Sequence, residues 1–187
     1  MQAGRKHQLR KKRNSFKYLY VRQIQTGTPR GILQAGPVVF HCALGRGGLS
    51  AFKREGDGAT PLGAMRIISG FHKPLARPLP QSAVLSRRLR SSDGWCDASG
   101  DANYNRPVRL PYRTSAETML RADCLYDIGF VLDWNICPRR MNCGSAIFFH
   151  LAKTGFPPTE GCIALSRRNM ERLMPHLTRR TKLIVIH

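Results

Sequence analysis

Turn-forming residues cut this chain into pieces too short for long helices. Seventeen Gly and 12 Pro are spread over 187 residues, and both types punctuate regular structure. Between them lie short apolar or alternating runs. Tyr18 to Gln25 alternates and stops near Gly27-Thr28-Pro29, a strand pattern. Val38 to Leu44, Ala64 to Ser69, Leu125 to Asn135, Gly144 to Leu151 and Lys182 to Ile186 also read as strands. One helix is predicted over Arg167 to Leu177. Ser166 is its N-cap, and Met170, Leu173, Met174 and Leu177 form its apolar stripe. The fold class expected is therefore mainly β, with one or few helices.

The intervening segments read as turns and loops. Arg46-Gly47-Gly48 is a turn, Glu55 to Gly63 a rigid loop, 71 to 81 a proline-rich loop, and Arg139 to Cys143 a turn. Ser91 to Arg106 is polar and is expected to run over the surface. Residues 1–15 read as a basic, disordered tail, and 16–187 as a single domain. That length can bury a core without metal or disulfide staples.

The net charge of +20, from 31 Lys and Arg against 11 Asp and Glu, favours polyanionic surroundings. Part of it lies in Arg5, Lys6, Arg10, Lys11, Lys12 and Arg13. An anionic wall polymer or a membrane surface fits this charge, and so does a plain solvated basic face. A nucleic-acid-binding module is the reading from a different class. Phe16, Tyr18 and Tyr20 follow the basic run, but no nucleic-acid fold signature accompanies them. The basic start precedes Phe16 to Arg22, which is short and broken by charge, so no export signal is visible there. No stretch is apolar enough to span a membrane. Six cysteines, Cys42, Cys96, Cys124, Cys137, Cys143 and Cys162, include no CxxC pair and no zinc pattern. Cys137 and Cys143 suit a loop disulfide in an oxidising compartment, or a reduced pair.

The chemistry concentrates in two segments. His150 ends the apolar run Ala146-Ile147-Phe148-Phe149, and Cys162 follows twelve residues later in Thr159-Glu160-Gly161-Cys162. A free thiol is mostly protonated at neutral pH, and a neighbouring imidazole can take its proton. Gly155, Pro157 and Pro158 favour a turn that brings the two together. Gly161 permits close backbone approach, and amides around Gly161 and Cys162 are candidates to face an oxyanion. From spacing alone, a core cysteine and a strand-end histidine explain the pattern as well.

The ordered set resembles the L,D-transpeptidase catalytic domain, the YkuD-type domain. The resemblance rests on Thr60-Pro61-Leu62-Gly63, then His150, then Thr159-Glu160-Gly161-Cys162, and covers roughly residues 31–187. It implies a mixed, β-sandwich-like fold. It further implies a cysteine acyltransferase that crosslinks peptidoglycan stem peptides through a thioester. Cys162 would be the nucleophile, His150 the acid and base, and Gly161 part of the catalytic loop. Thr159, Glu160 and Ser145 would contact substrate. No metal or organic cofactor is implied, and the periplasm or cell envelope is the implied location. An L,D-peptidase or amidase, with water resolving the thioester, is the alternative on the same residues. Two positions depart from the common pattern: Glu160 stands where many members carry His, and Ala164 where many carry Arg or Asn.

Overall fold

The computed structural model describes residues 14–75 and 77–187. The basic run from Arg5 to Arg13 lies outside them. The strands, in chain order, are β1 (Tyr18–Gln23), β2 (Arg30–Ala35), β3 (Val38–Ala43), β4 (Leu49–Ser50), β5 (Thr60–Pro61), β6 (Gly63–His72) and β7 (Ser86–Arg88). They continue with β8 (Asp93–Cys96), β9 (Pro107–Arg109), β10 (Ala116–Thr118), β11 (Ile128–Leu132), β12 (Phe148–Leu151), β13 (Ile163–Leu165) and β14 (Lys182–Val185). The one helix, α1 (Arg167–Leu173), runs into a 3-10 turn, Met174–His176. The chain is mainly β, as its punctuation implies.

The main sheet closes on itself. Neighbours run β11-β12-β13-β3-β2-β1-β14-β6, and β6 pairs back onto β11. Mixed parallel and antiparallel pairs make up the ring: β12 with β13 and β1 with β14 are parallel, the others antiparallel. Closure removes the free edges that an open sheet must protect. The two-layered arrangement expected from the resemblance thus takes the form of a barrel-like closed sheet. β7 adds to β6 outside the ring.

Strand periodicity sorts the side chains. All eight ring strands contribute to one buried cluster, through residues such as Leu19, Leu33, Phe40, Met65, Phe130, Phe149, Ile163 and Leu183. Met170, Leu173, Met174 and Leu177 join it, so the predicted helix stripe is a core stripe. Each such side chain contributes about 1.5–3 kcal/mol by leaving water. The helix is shorter than its pattern because Pro175 follows, and the chain tightens into the 3-10 turn instead. Ser166 caps it as predicted, with its hydroxyl accepting from the Asn169 amide at 3.4 Å.

A second cluster lies on the opposite face of β6, β11 and β12. Phe71, Val131 and Phe148 meet Trp95, Met119, Tyr126 and Cys162 there. Phe148 is its hub, edge-on to Phe71, Trp95 and Tyr126 with ring centroids 5.5, 5.1 and 5.7 Å apart. Trp95 comes from Ser91 to Arg106, the segment expected to run over the surface. Instead β8 pairs with both β9 and β10 in a three-stranded sheet. Trp95 anchors this small sheet against the ring.

Candidate active site

β12 and β13 lie side by side in parallel, with Phe149 opposite Ile163 and His150 opposite Ala164. The two-residue period of a strand then decides which side chains share a face. Phe149, Leu151, Ile163 and Leu165 turn to the barrel core. Phe148, His150, Cys162 and Ala164 turn the other way. His150, Cys162 and Ala164 open on one cleft of about 480 Å³, a size typical of small-molecule sites. Its walls include Glu55, Asp97, Glu117, Arg121, Tyr126, Ser145, Lys153 and Glu160.

Cys162 is 7% exposed and His150 4%. The Cys162 thiol donates to the Ala146 carbonyl at 3.2 Å and accepts from the Phe148 amide at 3.3 Å. His150 Nδ1 lies 2.8 Å from the Leu151 carbonyl oxygen. A carbonyl can only accept, so Nδ1 carries the proton, and the lone pair of the neutral ring sits on Nε2. Burial pushes the Cys162 thiol up to about 12, against the Phe148 amide and the charge of Lys53, which favour the thiolate. Burial pushes His150 down to about 4. The two therefore rest as thiol and neutral imidazole.

The loop that carries Cys162 is fixed from behind. Thr159 Oγ1 donates to the Cys162 carbonyl at 2.7 Å and accepts from the Gly161 amide at 3.2 Å. Thr60, fully buried, accepts from the Gly45 amide at 2.8 Å and reaches the Cys162 carbonyl at 3.5 Å. Gly161 has φ +124°, and a Cβ there would stand 2.7 Å from the Ala59 carbonyl oxygen. The Glu55–Gly63 segment, read from sequence as a loop, is thus the backing of Cys162, with β5 paired to β4. The Gly161 amide is committed to Thr159. Of the two amides considered for an oxyanion, that of Cys162 is the one without a protein acceptor among the described residues.

The sequence profile of the L,D-transpeptidase catalytic domain (YkuD) matches residues 16–185. This chain belongs to the L,D-transpeptidase catalytic domain family. Comparison with curated proteins and with solved structures found no match.

The family's signature residues divide into those in the cleft and those that hold it. Thr159 lines the cleft, yet both hydrogen bonds of its hydroxyl stay inside the loop. Glu160 stands at the rim, largely exposed and ion-paired to Arg46 at 2.8 Å. Ser145 is buried against the cleft, and its hydroxyl has no partner. Ala164 lies next to His150 on the neighbouring strand, so the departure from a bulky polar residue leaves room beside the ring. Among the described residues no group of His, Cys, Asp and Glu is placed to hold a metal ion.

Three residues of this transpeptidase-family cleft, and a lysine behind it, escape a reading of its sequence. The Tyr126 ring stands edge-on to His150 at 5.4 Å, and its hydroxyl donates to Glu117 Oε1 at 2.7 Å. Arg121 donates to the same oxygen at 3.1 Å and holds Asp123 with two bonds of 3.0 Å. Burial, helped by nearby Asp97, lifts the Glu117 carboxyl above its ordinary range. Lys53, paired with Asp57 and almost fully buried, places a positive charge behind the thiol. No spacing in the chain links these positions to His150 or Cys162. The polar run 91–106 offers the cleft only Asp97. Asp101 instead accepts from Tyr112 and Thr114, and Asn105 bonds Trp95, Ala146 and the carbonyls of Trp134 and Asn135.

Proposed function

We propose that the protein is a cysteine-dependent L,D-transpeptidase that joins peptidoglycan stem peptides through a thioester. The observation that carries this reading is a buried thiol and a neutral imidazole opening on one cleft, with the imidazole proton held at Nδ1 by Leu151. In the first half-reaction His150 Nε2 takes the thiol proton as Sγ attacks the carbonyl carbon of the donor stem. The Cys162 amide donates to the resulting oxyanion. The tetrahedral intermediate collapses, the C–N bond breaks, and His150 returns the proton to the leaving amine. In the second half an acceptor amine attacks the thioester, His150 takes its proton, the C–S bond breaks, and the thiol is restored.

Thr159, Gly161 and Thr60 hold the loop in this scheme, while Ser145 and Glu160 stand where substrate passes. A peptidoglycan stem in the cell envelope is the proposed partner, and the basic body suits an anionic wall polymer around it. Hydrolysis uses the same first half-reaction with water as the acceptor, and the two part only at the thioester.

The experiment supplies a tetrapeptide donor with and without a diamino-acid acceptor, and resolves products by mass. Crosslinked dimer that rises with acceptor supports transfer. Released donor fragment alone, at every acceptor concentration, would establish the hydrolase. Absence of any mass adduct on Cys162, with peptide or with a β-lactam, would overturn both.

A further inference from the structure

Acidic residues are confined to the middle of the chain. All 11 Asp and Glu lie from Glu55 to Glu171, whereas 12 of the 31 Lys and Arg precede that span and four follow it. β1, β2, β3 and β14 fall in the two acid-free stretches, and the ring sets them side by side in the order β3-β2-β1-β14. Four of its eight strands therefore form one continuous face with no carboxylate of its own.

Strand register says what that face carries. Leu19, Val21, Leu33 and Leu183 belong to the core, so the residues between them point outward. One outward row runs Val39, Gln34, Tyr20, Ile184. On one side of it lie His41, Ile32 and Arg22, and on the other Tyr18 and Lys182. The Tyr18 and Tyr20 rings are 6.2 Å apart, and Lys17 Nζ stands 5.2 Å over the Tyr18 ring. Among the described residues Lys17, Arg22 and Lys182 have no carboxylate partner. Six of the nine exposed large hydrophobic side chains, Tyr18, Tyr20, Ile24, Val38, Val39 and Ile186, lie on these strands or directly at their ends.

Charge sets the sign of the partner, and the uncharged side chains set its kind. Unpaired cations call for an anionic surface. Val39, Ile24 and Ile186 gain nothing from a hydrated polymer, whereas at the headgroup level of a bilayer they and the tyrosine rings leave water. Tyrosine suits that level because its ring is apolar and its hydroxyl polar. Lysine and arginine suit it because a long apolar stem carries the charge.

We infer that the outward face of β3, β2, β1 and β14 is a docking surface for an anionic lipid bilayer. In the ring, β1 lies four strands from β12 in either direction, and β14 four strands from β13. The cleft of His150 and Cys162 is thus on the far side, and a protein lying on this face presents it away from the lipid. The basic run Arg5 to Arg13 ends five residues before Tyr18 and belongs to the same acid-free stretch. The inference goes beyond the transpeptidase reading and does not depend on it.

The test is co-sedimentation of the full-length protein with vesicles of phosphatidylcholine, alone or mixed equally with phosphatidylglycerol, at low and high salt. Binding is expected to the mixed vesicles only, and weaker at high salt. Arg22→Gln with Lys182→Gln should weaken it about fivefold for each charge removed. Tyr18→Thr with Tyr20→Thr should weaken it about tenfold at unchanged charge. Arg109→Gln with Arg140→Gln removes the same charge from exposed positions off this face, and should do less than either pair. In the wild type, where no variant has to fold, acetylation of Lys17 and Lys182 should slow on adding mixed vesicles, while Lys153 at the cleft keeps its rate. Face pairs that weaken binding no more than the control pair, or protection that falls on Lys153 instead, overturn the face. No binding to mixed vesicles overturns the lipid; if purified sacculi or a DNA duplex then protect Lys17 and Lys182, the face belongs to that polymer.

Discussion

The ring of Tyr126 stands edge-on to the ring of His150, with centroids 5.4 Å apart and planes inclined at 75°. Tyr126 thereby walls the imidazole off from water, and this burial is what depresses His150 from 6.5 to about 4. Between those values the unfolded chain holds the His150 proton and the folded chain does not. The stability that His150 contributes is complete above pH 6.5 and is lost as pH falls through 4. The shift corresponds to about 3 kcal/mol. Urea unfolding of wild type and His150→Gln should therefore converge by roughly that amount from neutral pH to pH 4. A difference that does not change with pH would show that the imidazole is solvated.

Cys162 is the one cysteine that opens on the cleft. Cys162→Ala should abolish the mass adduct with a β-lactam or peptide donor. Cys42 and Cys96 are buried elsewhere and Cys124 is exposed, so their alanine variants should keep the adduct. Cys42→Ala, emptying a site in the main core, should cost about 1 kcal/mol of stability. An adduct that survives in Cys162→Ala would sink the mechanism.

Thr159 holds the nucleophile loop through both of its hydroxyl bonds. Thr159→Val keeps the shape and removes them, leaving the Gly161 amide without its acceptor. The expected cost is about 1–3 kcal/mol. The acylation rate should fall while the affinity for a reversible peptide ligand changes little, because the hydroxyl does not face the substrate. A large rise in Kd with an unchanged rate would instead make Thr159 a substrate contact.

Gly161 combines a positive φ with a close approach to the Ala59 carbonyl. Gly161→Ala meets both obstacles, and about 1–3 kcal/mol of strain is expected. Displacement of the loop should slow acylation at least tenfold. An alanine variant with wild-type melting temperature and rate would show that the loop is free to adjust.

Much of this architecture is legible because period-2 patterning survives in long enough runs. β1, β3, β6, β11, β12 and β14 each fall within or overlap a run with a clear apolar signal. β2 was hidden: Arg30 to Ala35 alternates only weakly, and turn signals crowd both its ends. β13 has three residues, too few for any period to show, although it directly follows Cys162. β8, with four residues, sits in the polar segment that reads as surface, and β9 and β10, with three residues each, are too short to show a strand pattern. For the site, Cys162 and His150 were legible through their order and local motif. Glu117, Arg121 and Tyr126 were not, because β10 and the connection from it to β11 bring them to the cleft. Thr60 was legible only as part of a resemblance; that its hydroxyl stands behind Cys162 is a fact of tertiary structure.

A sheet that closes into a ring distributes any error in register around its whole circumference. Deleting one residue inside β12 would turn His150 into the oily interior and push Phe149 or Leu151 into the cleft. No neighbour could compensate without slipping as well, since each strand is bonded on both flanks. Changes in length should therefore be confined to the connections, such as 24–29 or 73–85, while the spans that carry His150 and Cys162 keep a fixed residue count. Substitution can retune this cleft freely, whereas insertion and deletion within its strands cannot.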